Sequence, residues 1–106
     1  MMTGIRTAAI LLLAVSISAA AFAQSPGADT YKAKCASCHG ADGLATTAVA
    51  KSVKALSFKD PTMLKASDAR FVLTTRNGEG KMPGYVGKLT DAQIKDVVAY
   101  IRTLQK

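Results

Sequence analysis

Both cysteines and the only histidine of this 106-residue chain fall within five residues, Cys35-Ala36-Ser37-Cys38-His39. That arrangement narrows the folds open to it. With no further cysteine, the chain is not a disulfide scaffold. A chain of this size buries only about 60–65% of its unfolded surface, so its core is marginal. Core material is also scarce. Beyond residue 23 the aromatic residues are Tyr31, Phe58, Phe71, Tyr85 and Tyr100, Trp is missing, and the aliphatic content is rich in Ala. Something besides side chains is expected to complete the interior, and C-x-x-C-H is the signature of covalent haem attachment. Two thiols on one turn can each add to a vinyl group of the same haem. The next residue then sits over the iron, where His39 can donate a ring nitrogen.

Three other readings use the same residues. A Cys35–Cys38 disulfide could form in an oxidising compartment. A thioredoxin-type redox pair needs a βαβ context, which the chain does not offer. A structural zinc site wants four ligands, and beyond Cys35, Cys38 and His39 the sequence has no further Cys or His. Haem attachment is the favoured reading because the full five-residue match stands just inside what reads as a secreted helical chain.

The segment before the motif points to that compartment. Met1 to Thr7 carries Arg6 as its only charge, Ala8 to Ala21 is apolar but for Ser16 and Ser18, and Ala21-Phe22-Ala23 has the A-x-A form a signal peptidase cuts. The expectation is a cleaved signal peptide over 1–23 and a single domain over 24–106. As a membrane span the apolar run is at the short end, and no Cys follows it directly to take a lipid, so no stable membrane insertion is expected after cleavage. The expected compartment is the periplasm, with a thylakoid lumen second. With Arg6 set aside, 13 Lys and Arg stand against 7 Asp and Glu. For a secreted chain this basic, acidic protein faces are the expected partners rather than nucleic acid.

Helical spacing dominates, and no segment alternates convincingly as a strand does. Gln24 to Gly27 reads as a polar, mobile start, and Ala28 to Ala36 as a short helix with Asp29 in its first turn. Gly40 to Ser57 shows no clear period and reads mostly as loop. Asp60-Pro61 reads as a cap and first helical position of a short turn to about Ala66. Ser67 reads as the cap of a helix from Asp68 to Arg76 that Asn77-Gly78 ends. Gly78 to Gly87 is expected to be irregular, given its four Gly and Pro83. Thr90-Asp91-Ala92-Gln93 has the form of a capping box, with Leu89 and Ile94 placed as a staple. Ile94, Val97, Val98, Ile101 and Leu104 then repeat at helical spacing to about Gln105, with Lys95 and Arg102 on the other face. The fold class is all-α, with about three to five short helices around one haem.

A haem iron held by His39 needs a sixth ligand or an open position. No second His exists, which leaves Met63 and Met82. Met63 sits in a short helical turn beside Leu64, where Met usually fills a core. Met82 sits in Gly80-Lys81-Met82-Pro83-Gly84, where Pro and Gly can hold a thioether sulfur at the metal, and it is the favoured ligand. An open sixth position would instead suit a peroxidase or a gas binder.

Three blocks in order carry a family resemblance. They are Gly27-x-x-x-Tyr31-x-x-x-Cys35-x-x-Cys38-His39-Gly40, the run Asn77-Gly78-Glu79-Gly80-Lys81-Met82-Pro83-Gly84-Tyr85, and Leu89-Thr90 through Ala99-Tyr100-Ile101. Together they resemble the class I cytochromes c of the short monohaem type, over the whole of 24–106. The resemblance implies a small cytochrome c fold with one haem c on Cys35 and Cys38 and with His39 and Met82 as iron ligands. It implies an electron carrier rather than an enzyme, passing single electrons between redox partner proteins, a reductase on one side and an oxidase or dehydrogenase on the other; a monomer is expected only by default, since the sequence carries no oligomer signal. It also implies that Gly27 lets the two end helices cross closely, with Tyr31 and Tyr100 near the crossing. Lys32, Lys34, Lys54, Lys81 and Lys88 are expected around the exposed haem edge. One feature departs from the family pattern. Many members carry a Pro soon after the haem motif whose carbonyl holds the proximal His, and no Pro occurs here between Gly40 and Asp60. An acceptor for the His39 N–H is still expected, but the sequence does not say which.

Overall fold

Six short helices follow one another in the computed structural model, which describes residue 4, residues 11–14 and residues 25–106: α1 (Pro26–Lys34), α2 (Ala36–His39), α3 (Ala48–Val53), α4 (Pro61–Lys65), α5 (Asp68–Asn77) and α6 (Asp91–Leu104). The signal peptide expected over 1–23, with its cleavage after Ala23, lies outside the described residues but for those few positions. Among the described residues there is no strand, only two isolated bridges, Glu79 with Met82 and Val86 with Leu89. No helix among them is long and apolar enough to cross a membrane.

The longest helix, α6, is started by its own first turn. The Thr90 hydroxyl accepts from the Gln93 N–H at 3.1 Å, and the Thr90 N–H donates back to Gln93 Oε1 at 2.9 Å, so two otherwise orphaned donors are satisfied together. Its apolar stripe of Ile94, Val97, Val98 and Ile101 is buried. That stripe meets α1. Gly27 makes the meeting possible, because a Cβ there would run into the backbone carbonyl of Asp96. Beside the crossing the Tyr31 and Tyr100 rings stand 5.2 Å apart. Tyr31, Phe58, Phe71, Val97, Val98 and Ile101 form one buried cluster.

The structure departs from the sequence reading in three places. Helix α1 already begins at Pro26, so the polar start expected over 24–27 is partly helical, and Gly27 is buried in it. A proline suits a first helical position because its φ is fixed and its missing N–H would have had no partner there. Helix α3 lies inside the stretch expected to be mostly loop. Thr47 caps it by accepting from the Ala50 N–H at 3.0 Å, and Ala50 alone of its side chains is buried, so there is no apolar repeat to read. Six helices therefore stand among the described residues, where about three to five were expected. Finally, Arg102 does not stand free on the solvent face of α6 as Lys95 does. Its guanidinium lies over the Phe71 ring at 4.5 Å, and it donates to Asp68 at 2.8 Å and to the carbonyl of Ala66. An apolar stem and a fork of donors let Arg cover a core edge in this way.

The remaining helices are capped as their sequences suggest. Asp60 accepts from the Thr62 N–H ahead of α4, and Ser67 from the Arg70 N–H ahead of α5. Helix α5 stops at Gly78, whose φ of 77° lies in the left-handed region that favours glycine.

Candidate functional site

The five-residue motif straddles the joint between α1 and α2. Cys35 closes α1 by donating its N–H to Tyr31 at 2.8 Å, and its carbonyl accepts from the His39 N–H at 2.9 Å. One helical turn thus carries Cys35, Cys38 and His39. Three side chains fix this turn to the rest of the molecule. The buried Tyr31 hydroxyl donates to the Gly40 carbonyl at 2.6 Å, the Thr47 hydroxyl reaches the Cys38 carbonyl at 3.2 Å, and the Tyr85 hydroxyl donates to the Lys34 carbonyl at 2.9 Å. The last of these ties the Gly- and Pro-rich segment between α5 and α6 to the motif across the site.

These elements enclose a cavity of about 520 Å³ whose walls include Cys35, Cys38, His39, Met63, Met82 and Tyr85. Its size falls in the usual range of small-molecule sites, about 300–1,000 Å³. All four residues expected at a haem are brought to this one cavity, and so is Met63, the alternative sulfur. Met63 additionally packs against the buried aromatic and aliphatic cluster. Lys34, Lys54 and Lys81 also line the cavity, with Glu79 as its one acidic residue. Neither Lys32 nor Lys88 is among the lining residues, though Lys88 lies 5.9 Å from the ring centre of Tyr85, which is. A second concavity, of about 540 Å³, lies between α5 and α6 and contains none of the expected site residues.

The electrostatics suit a neutral metal ligand. Burial holds the His39 imidazole below its ordinary pKa, so a ring lone pair is free at neutral pH. Burial, and then the neighbouring Cys38, push the Cys35 thiol up to about 11. Burial likewise raises the Tyr31 hydroxyl well above its usual range. Both cysteines are free thiols in this structure. Among the described residues no group of three or more His, Cys, Asp and Glu is arranged to hold a bare metal ion. Two thiols on one turn, a neutral imidazole beside them and two thioethers in the same walls form a donor set that fits a covalently held iron porphyrin.

The expected acceptor for the His39 N–H is not found. His39 Nδ1 is buried, and among the described residues it has no hydrogen-bond partner. The ring instead lies nearly parallel to Phe58, with centroids 4.8 Å apart and planes 20° from each other. The sequence reading counts Phe58 only among the few aromatic residues, since it falls between the stretch ending at Ser57 and the helix opening at Asp60-Pro61. Tyr85 was read only as part of the methionine loop, and Thr47 only as part of a loop.

Comparison with known proteins agrees with the motif. The family described as cytochrome c oxidase, cbb3-type, subunit III, matches residues 22–101. Cytochrome c6 of Thermosynechococcus vestitus is 33% identical over 93 residues, covering 86% of this chain and 80% of that protein. Cytochrome c6 of Picosynechococcus sp. is 32% identical over 108 residues, covering 87% of this chain and 90% of the relative. A solved c-type cytochrome superposes with a TM-score of 0.69 at 30% identity, over 76% of this chain and 98% of that one.

Proposed function

The chain belongs to the c-type cytochromes, whose cofactor is a covalently bound haem c, and from that premise we propose that it is a secreted carrier of single electrons with His39 and Met82 as axial ligands. The observation that carries this reading is the convergence of Cys35, Cys38, His39 and Met82 on one cavity, from two segments far apart in the chain. Cys35 and Cys38 hold the cofactor through two thioether bonds, which keeps it from being lost by so small a protein. His39, neutral because it is buried, offers a ring nitrogen from one segment, and Met82 offers its sulfur from the loop before α6. Met82 is preferred to Met63 because Met63 is engaged in the core, while the Met82 loop is held at the motif by Tyr85.

When bound, the haem supplies a reversible one-electron iron couple. The protein's part is to set and guard that couple. With His39 and Met82 both held to the iron, no position would be left for a substrate to bond, and the bound haem would supply electron exchange alone. A Met sulfur favours the ferrous state relative to a second imidazole. The apolar part of the lining, Val53, Ala55, Leu56 and Pro83, would push the same way, because an added ferric charge is costly beside apolar groups. Lys34, Lys54 and Lys81 give the rim a positive field that orients an acidic redox partner. Removal of residues 1–23 in a periplasm completes the reading, on the strength of the Ala21-Phe22-Ala23 site.

Expression of the full chain with a haem-maturation system tests this in one preparation. The expected product has the mass of residues 24–106 plus one haem, and its ferric form shows the weak far-red band of an iron–thioether bond. Met82→Ala should abolish that band and Met63→Ala should keep it; the reverse pattern moves the ligand to Met63. A folded, colourless product with both thiols titratable would sink the proposal.

A further inference from the structure

Resting on the reading of His39 as an iron ligand, we propose that Phe58 fixes the plane of the His39 ring, in place of an acceptor for its N–H. Imidazole ligands are ordinarily oriented by a hydrogen bond from the nitrogen that does not bind metal. Here that nitrogen, Nδ1, is buried and unpartnered among the described residues. What the ring does have is a flat apolar surface, Phe58, at 4.8 Å and 20°. Two flat rings packed face to face in a close-packed interior limit each other's rotation.

Phe58 can act as a fixed surface because it is held on every side. Only 3% of it is exposed. Its backbone N–H donates to the Gly43 carbonyl at 2.9 Å, and its own carbonyl accepts from Gln105 Nε2 at 2.9 Å. The Phe71 ring meets it edge-on at 6.2 Å, and Tyr31 packs at 6.4 Å. Gly43 leaves room for it, since a Cβ there would stand 2.7 Å from Phe58 Cδ2. Gln105 is itself held by Arg102, which donates to its Oε1 at 2.9 Å. A line of contacts therefore runs from the end of α6 to the proximal ligand, through Arg102, Gln105 and Phe58. Phe58 is a positioning residue, and without an acceptor the imidazole it positions is less basic than a hydrogen-bonded one.

The orientation of the iron's ligands, the imidazole plane included, is reflected in the NMR spectrum of the ferric holoprotein, in the order and spread of the shifted haem-methyl resonances. Phe58→Leu should change that order while the iron–thioether band persists. Gln105→Leu, remote from the haem, should change it in the same direction by less, and Thr103→Ala on the exposed face should leave it alone. A folded Phe58→Leu holoprotein with the wild-type order and spread overturns the inference. Should Phe58→Leu give no folded holoprotein, an unchanged pattern in Gln105→Leu overturns it instead. In the ferrous wild type, a His39 N–H proton shifted as in an N–H to carbonyl bond also overturns it. A wild type with no attached haem overturns both this inference and the functional reading, whereas the other outcomes leave that reading standing.

Discussion

Gly27 is the residue on which the crossing of α1 and α6 depends. A methyl group there has no free volume to enter, since the backbone of Asp96 already fills the space. Overpacking of this kind costs about 1–3 kcal/mol, occasionally more. Gly27→Ala should lose at least that much in denaturant unfolding of the holoprotein, despite the better helix propensity of Ala. Asp60 allows a test by pH. Hydrogen bonds from the Thr62 side chain, and then from its backbone N–H, hold the Asp60 carboxyl below its ordinary range. A depressed folded pKa means that the stabilisation is present above the unfolded value of about 3.9 and is lost as pH falls through the folded one. The melting-temperature gap between wild type and Asp60→Ala should therefore be open at pH 7 and shut once the folded carboxyl is protonated; an equal gap at pH 7 and pH 2 would refute the assignment. At this scale the placement of Cys35, Cys38, His39 and Met82 at one cavity was legible, because the chemistry proposed for them depends on residue type and spacing. Phe58 was not, because a stack between residues 39 and 58 is made by the fold and leaves no local pattern.

Among the elements, α6 was the most legible and α3 the least. The α6 segment combines a reciprocal cap with four buried apolar residues at helical spacing, so propensity, capping and period agree. Helix α3 is only six residues long and buries a single alanine, too little for a period to emerge. Thr90→Ala should cost about 1 kcal/mol in holoprotein unfolding, since it removes the acceptor for the Gln93 N–H and the partner of a reciprocal bond. A change well below that would mean that water replaces the cap fully. The Arg102 contacts were not legible, because amphipathic spacing alone puts a charged residue outside. Its stem and fork reach back over Phe71 to Ala66 and Asp68, groups that a helical projection of α6 does not contain.

At the level of the whole molecule, charge is arranged where the proposed chemistry needs it. Lys34, Lys54 and Lys81 share the cavity wall with one acidic residue. Electrostatic steering of this kind raises association rates by about 10- to 1,000-fold and falls steeply with ionic strength. Bimolecular electron transfer to an acidic partner protein should thus slow as salt is added. Replacing the three lysines by Gln should lower the low-salt rate about tenfold or more and flatten the salt dependence. A wild-type rate that stays flat or rises with salt would rule the steering out. The all-α architecture was legible from the sequence, and so was the gathering of Lys34, Lys54 and Lys81 at one site, whereas Lys32 and Lys88, expected with them, are not among the residues that line it.

The embrace of α1 by α6 also sets an order of events. The turn proposed to bear the haem continues directly from α1, while the helix that clasps α1 follows every other helix described. A polypeptide threaded out from its front end would thus expose Cys35 and Cys38 on an undocked arm until the rear end arrives. On the proposed reading, attachment chemistry would have its clearest access during that interval, before the two ends close on each other.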